Sequence, residues 1–308
     1  AGAEVRVVSR EIATDGNELA ALLVKHNINK FQATPSTFRL LIEAGWPGSP
    51  RIDLMCGGEP MTVPLAKDLV GRCRQLWNMY GPTETTVWSS VYHVTKAYLD
   101  TNPTIVPIGK PILNTVFYLL DPDAEQPVRV KSGEVGALYI GGTIVLAQGY
   151  HNRPELTESK FIADPFAVPT EADPHPRMYC SGDLGKERPD GNFECLGRID
   201  NQVKISGYRI ECGEVEAVID SSDEVKVSVV VGATDEQSIQ RLVAYYESTT
   251  GRPCDATALR EMVSRSLPPY MIPSIWMHLP SLPLLPNGKI DRSKLPKPQW
   301  TAQADAAS

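Results

Sequence analysis

Strand-like and helix-like stretches alternate from the start of the chain to Asn78, and this alternation restricts the fold more than any other property. Val5 to Val8 is a short β-branched run. Asp15-Gly16-Asn17 then caps a helical pattern with Leu19, Leu22 and Leu23 on one face. A strand from Lys30 to Thr34, a helix from Ser36 to Ala44 ended by Gly45, and a strand from Ile52 to Met55 follow. A helix from Pro64 to Cys73 and a strand from Gln75 to Asn78 complete the series. Short loops between such elements predict a parallel, doubly wound sheet, which takes ligands beyond the carboxyl ends of its strands. Gln32, the Gly57-Gly58-Glu59 turn and Asn78 to Glu84 fall at that edge.

From about Val106 the pattern changes. Ile108 to Pro111, Val116 to Leu120 and Val135 to Ile140 read as short strands, with one helix suggested from Pro154 to Phe161. Arg177 to Arg188 and Asn192 to Leu196 pair around the Pro189-Asp190-Gly191 turn. The expectation is a small antiparallel β-barrel or sandwich. Beyond Asp200 a hairpin, a helix from about Glu214 to Asp220, strands at Val225 to Val231 and Leu242 to Tyr246, a helix capped by Asp255 and a strand at Ile275 to Leu279 predict a small α+β domain. The full expectation is a partial α/β subdomain over 1–105, a β-rich subdomain over 106–199, an α+β domain over 200–300 and a linker over 301–308.

Totals exclude several functions. A chain of 308 residues with 42% apolar content can bury a substantial core. A net charge of −7 without a basic cluster argues against nucleic acid, and no run approaches the roughly 18 apolar residues of a membrane span. The start of the chain lacks the features of a signal peptide. The six cysteines are dispersed without a C-x-x-C pair, which favours free thiols in a reducing cytoplasm over disulfides or a zinc site.

Four short strings carry chemistry. Asn78-Met79-Tyr80-Gly81-Pro82-Thr83-Glu84 offers an amide, an aromatic ring, a tight turn, a hydroxyl and a carboxylate, groups suited to a base edge, base stacking, phosphate and Mg²⁺. Taken alone, Pro82-Thr83-Glu84 reads equally well as a helix start capped by Thr83. Tyr179-Cys180-Ser181-Gly182-Asp183 supplies a carboxylate able to accept two ribose hydroxyls, with Arg198 close by in sequence. Leu196 to Glu211 joins two short alternating runs at Ser206-Gly207, as a hairpin does. Leu284 to Ile290 presents Lys289 on an Asn-Gly turn, where a solvated lysine is the ordinary reading.

Together these strings resemble the adenylation domains of nonribosomal peptide synthetases, within the adenylate-forming enzymes, over essentially the whole chain up to about Pro296. The resemblance implies that Asn78, Tyr80, Gly81, Thr83, Asp183 and Arg198 bind the nucleotide, that Glu84 binds Mg²⁺, and that Lys289 is catalytic. It implies a hinge at Asp200, a thiolation face at Gly207 and Arg209, and a substrate pocket of Gln32, Met55, Gly57, Met79, Val87 and Trp88, with Lys289 beside it. Read from the residues alone, Trp88 and the methionines are also ordinary core residues. The implied reaction uses ATP and Mg²⁺ to activate an amino acid, with glycine as the expected substrate, and passes it to phosphopantetheine on a downstream peptidyl carrier domain. A condensation domain in the same assembly is the other implied partner. Gly141-Gly142, Gly149-Tyr150 and Arg153 to Thr157 also match a family motif and are expected to serve as turns and packing. The family's phosphate loop and the Asp that holds the substrate amino group are expected upstream of residue 1, so that this stretch alone is inactive. The other readings are an acyl- or aryl-CoA ligase and a non-catalytic domain that keeps the fold.

Overall fold

A short helix, α1 (Arg10–Thr14), leads to Asp15, whose carboxylate accepts the backbone N–H groups of Asn17 and Glu18 and so starts α2 (Gly16–Lys25). The structure, a computed structural model, describes residues 2–199, 202–235, 239–284 and 290–300, and it divides into two compact units, Ala1–Asp200 and Asn201–Ser308. In the first unit β1 (Lys30–Ala33), α3 (Pro35–Glu43), β2 (Asp53–Gly57), α4 (Val63–Val70) and β3 (Gln75–Tyr80) follow α2 in order. The hydroxyls of Thr34 and Thr62 cap α3 and α4, each with a proline in the first turn. Strands β1, β2 and β3 are parallel neighbours. The chain then continues through β4 (Ser90–Val94), α5 (Lys96–Leu99) and β5 (Lys110–Pro111), and β4 and β5 extend the sheet antiparallel.

Strand register sorts the side chains into two faces. Leu54, Leu76 and Val94 pack with Leu19, Leu23, Phe38, Leu41, Leu65, Leu69 and Leu99, so the core lies beneath the helices. The alternate positions Gln32, Met55, Gly57 and Met79 lie on the opposite face. The run Val5 to Val8 forms no strand, and Val5 and Val7 are exposed. A β-branched run becomes a strand only where a neighbour accepts its ladder, and no described strand pairs with it.

Asp53 ties two of these strands at their amino ends. Its buried carboxylate accepts Nε of Arg74 at 2.8 Å and Nζ of Lys30 at 3.3 Å. The bond from Arg74, opposed by burial and aided by Lys30, holds the carboxyl below its ordinary 3.8. A depressed carboxyl stabilises the fold above its unfolded value and loses that contribution as pH falls through the lower folded value. Asp53→Asn is therefore expected to lower the melting temperature at neutral pH, with the difference shrinking as the pH drops below 3.8. Melting curves of the two proteins across acid pH check this; a gap that stays constant into acid contradicts it.

The second sheet of this unit contains β6 (Val116–Leu120), β7 (Val135–Gly141), then α6 (Pro154–Lys160), β8 (Phe161–Ala163), β9 (Arg177–Glu187) and β10 (Phe193–Arg198). Its order is β10-β9-β7-β6, all antiparallel, with β8 also on β9. The expected barrel is corrected here: among the described residues the sheet is open. Closure needs the two end strands to pair, but the outer edge of β10 is taken by residues 108 and 109. Ile108 N–H donates to the Phe193 carbonyl at 2.8 Å, and Phe193 N–H donates to that of Gly109 at 2.8 Å. That edge contact joins the two sheets instead of closing one.

In the second unit β11 (Val203–Ile205) and β12 (Tyr208–Ile210) form an antiparallel hairpin. Ser206 and Gly207 sit at φ of 50° and 81°, the pair of positive values that a tight two-residue turn requires. After α7 (Cys212–Ile219), strands β13 (Val225–Thr234) and β14 (Gln240–Ser248) pair antiparallel. Asp255 caps α8 (Ala256–Ser266), and β15 (Ile275–His278) adds to β14 in parallel. Val215, Ile219, Val230, Leu242, Leu259 and Val263 form the core of this α+β unit. All six cysteines are free, and among the described residues no helix is long and apolar enough to cross a membrane. Asp200, Lys289 and the 301–308 stretch lie outside the described residues.

Candidate active site

The carboxyl end of β3 splits its side chains between two environments, because alternate residues face opposite ways. Asn78 and Tyr80 are buried on one side, while Met79 faces the other and is only partly covered. The Asn78 amide donates to the Pro107 carbonyl at 2.8 Å. The Tyr80 phenol donates to Oδ2 of Asp183 at 2.5 Å, and its ring meets Phe117 edge-on. Burial, and then the neighbouring Asp183 charge, push the Tyr80 phenol well above its ordinary value, so it remains a neutral donor.

Asp183 lies on β9 directly opposite Arg198 on β10. Nη1 of Arg198 donates to Oδ1 of Asp183 at 3.2 Å and to the Ser181 carbonyl at 2.8 Å. The Ser181 hydroxyl donates to the Leu138 carbonyl at 2.6 Å and accepts the Asp183 N–H at 3.1 Å. The Ser181 hydroxyl thus brackets the backbone around Asp183. Two motifs far apart in sequence meet in one set, with Tyr80 and Asp183 buried and Arg198 partly buried.

After Tyr80 the chain turns sharply. Thr83–Thr85 is a single 3₁₀ turn that Thr83 does not cap, and Thr83 itself is exposed. Glu84 is buried in that turn and accepts the Tyr150 phenol on Oε1 at 2.5 Å. Burial, and then this bond, push the Tyr150 phenol far up. Thr85 and Ser89 share a hydroxyl–hydroxyl bond at 2.5 Å across the turn. Thr86 and Val87 both have positive φ, 62° and 72°, which is uncommon for β-branched residues and strains the backbone where function so often sits.

This turn delivers Trp88 to the less covered face of the first sheet. Its indole N–H donates to Oε1 of Gln32 at 3.1 Å. Its ring lies so close to Gly57 that a Cβ there would sit 2.5 Å from the ring tip and 2.6 Å from the Met79 carbonyl. Met55 pairs in register with Gln32, and Met79 with Gly57. Gln32, Met55, Gly57, Met79 and Trp88 therefore gather on one patch, while Val87 is 59% exposed beside it. Within the second unit Gly207 lies in the hairpin turn, Arg209 pairs across the hairpin with Lys204, and Tyr208 stacks on Tyr270 at 4.0 Å.

Sequence reasoning missed Tyr150, which it assigned to packing. Its signal was a tyrosine beside a glycine in a matched motif, and nothing local marks Glu84 as its partner. Among the described residues no group of three or more His, Cys, Asp or Glu could hold a metal. A single buried carboxylate nevertheless suits Mg²⁺ beside a nucleotide, since that ion is held by one or two carboxylates together with phosphate oxygens.

Residues 1–151 match the family model of the AMP-binding enzymes, and residues 214–289 match that of the AMP-binding enzyme C-terminal domain. The chain belongs to the AMP-binding enzyme family. Among members of the family, it is 38% identical over 308 residues to a dimodular nonribosomal peptide synthase of Bacillus subtilis, covering 99% of this chain and 12% of that protein. A solved holo four-domain nonribosomal peptide synthetase bound to AMP and glycine is 39% identical, with a TM-score of 0.56 over 95% of this chain and 21% of that one. A second solved synthetase, containing adenylation and PCP domains and bound to a vinylsulfonamide inhibitor, is 26% identical, with a TM-score of 0.72 over 91% of this chain and 46% of that one. The chain thus spans under half the length of each of these family members.

Proposed function

We propose that this chain carries part of the active site of an amino-acid-adenylating ligase of nonribosomal peptide synthesis. The observation that carries the reading is the Tyr80–Asp183–Arg198 set, with the buried Tyr80 bonded to the buried Asp183 at 2.5 Å at the carboxyl end of β3. In this reading the Asp183 carboxylate takes the ribose hydroxyls, Tyr80 and Asn78 face the base, and Gly81 and Thr83 lie along the phosphates. Glu84 holds Mg²⁺, which when bound supplies charge neutralisation to the phosphates. A carboxylate oxygen of the amino acid attacks the α-phosphorus of ATP, the bond to the bridging oxygen breaks, and pyrophosphate leaves. Lys289 donates to the charge that develops in that step. Asp200 is the pivot between the two units, and the Gly207–Arg209 hairpin faces the phosphopantetheine thiol of a carrier domain, whose sulfur then displaces AMP.

Glycine is the proposed substrate. Two observations support it: Trp88 lies over Gly57 and is bonded to Gln32, and a similar synthetase was solved with glycine bound. The test is amino-acid-dependent pyrophosphate exchange by the full-length protein. Glycine is expected to exceed alanine by roughly 10- to 200-fold in kcat/KM, the usual cost of one methyl group in a filled pocket. Trp88→Ala is expected to shift selectivity toward alanine or serine. Exchange with fatty or aryl acids alone transfers the assignment to a CoA ligase, and unchanged selectivity in Trp88→Ala with lower stability returns Trp88 to the core.

A further inference from the structure

The segment between β7 and α6 is fastened to the Glu84 turn by three bonds, and the proposed chemistry uses none of them. Ala147 N–H donates to the Glu84 carbonyl at 2.8 Å, the Thr86 hydroxyl donates to the Val145 carbonyl at 2.8 Å, and the Tyr150 phenol donates to Oε1 of Glu84 at 2.5 Å. The segment is itself held from behind. The two terminal nitrogens of Arg177 donate to the carbonyls of Gln148 and Ala147 at 3.1 and 3.2 Å. Tyr150 N–H donates to the Thr157 hydroxyl at 2.9 Å, and its ring packs edge-on against Phe161 at 5.7 Å.

A glutamate in a three-residue turn has several rotamers to choose from, and a single-carboxylate metal site works only in the one that faces the ion. A charge-assisted bond from a phenol whose own backbone and ring are pinned selects that rotamer. We infer that Tyr150 is a positioning residue that holds the Glu84 carboxylate in one orientation for the Mg²⁺ of the bound nucleotide. The inference rests on the reading of Glu84 as the metal ligand.

The experiment titrates Mn²⁺ into the full-length protein with α,β-methylene-ATP, which cannot be cleaved at the reacting bond, and follows free Mn²⁺ by electron paramagnetic resonance. Tyr150→Phe is expected to weaken Mn²⁺ binding by ~10–100-fold, the usual effect of losing an outer partner of a metal ligand. Thr86→Val, which cuts a second fastening and leaves the ring in place, is expected to shift it in the same direction by less. Exchange activity of Tyr150→Phe should fall at low Mg²⁺ and recover at high Mg²⁺, a pattern that mere destabilisation does not produce. Glu84→Gln separates the outcomes. If Glu84→Gln weakens Mn²⁺ binding and a folded Tyr150→Phe does not, the inference is overturned and the metal assignment stands. If Glu84→Gln has no effect, the metal assignment fails and takes the inference with it. Should Tyr150→Phe not fold, unchanged Mn²⁺ affinity in Thr86→Val overturns the inference.

Discussion

Replacing Lys289 by alanine in the full-length protein is expected to slow adenylate formation by ~10²–10³-fold, the usual loss when one preorganised donor to developing charge is removed. The reaction gathers a carboxylate and an α-phosphate in one place, so a single ammonium faces more charge there than a typical oxyanion donor does. Described residues on either side of 285–289 are tied to each other. Leu284 bridges Ile290, and Asp291 N–H donates to the Pro283 carbonyl at 2.7 Å. Asp291 is in turn held by Ser293 at 2.5 Å and by Lys294 at 3.0 Å. The thioester step, measured with synthetic aminoacyl adenylate supplied, should keep its rate, because that step proceeds without the α-phosphate attack. Equal losses in both steps contradict the assignment.

Asp183→Asn is the other large effect. An ionised carboxylate offers about four lone-pair sites, of which Tyr80 and Arg198 use one on each oxygen, leaving capacity for two ribose hydroxyls. The asparagine amide nitrogen accepts nothing, so one hydroxyl loses its partner and the other keeps only a neutral one. Hydrogen bonds to charged groups contribute about 1.5–3 kcal/mol each, so the KM for ATP is expected to rise by roughly 10- to 100-fold. Stability should fall as well, because Arg198 is mostly buried and loses its ion pair with Asp183. Breaking a buried pair costs about 3–5 kcal/mol, and the lower end applies here because Arg198 keeps the Ser181 carbonyl. Tyr80→Phe removes one donor and no charge, so its effects should be smaller on both counts. An unchanged KM for ATP in Asp183→Asn, with the melting temperature lowered, would make the set purely structural.

Local chemistry was legible in the sequence and long-range pairing was not. Asp15 and Asp255 cap their helices as read, and Ser206-Gly207 turns the hairpin with both φ values positive. These features depend on a few adjacent residues. The β4 strand has no clean alternation of its own and is a strand because β3 and β5 flank it. The barrel expectation failed for the same reason, since strand period says nothing about which edges meet. At the candidate site Asn78 to Glu84 stood out as a string, but the bond between Tyr150 and Glu84 spans 66 residues and links two motifs with no shared pattern.

The contact between Gly57 and Trp88 also bears on how the protein could acquire a new substrate. Trimming Trp88 removes the ring tip that a side chain at position 57 would strike, but the Met79 carbonyl stays 2.6 Å from the same point. A main-chain oxygen in a paired strand does not swing aside as a flexible side chain does. Of the two positions, then, only 88 is open to drift: under the proposed pocket assignment, a lineage adapting to a bulkier amino acid has to begin there, and Gly57 stays a glycine whichever residue replaces the tryptophan.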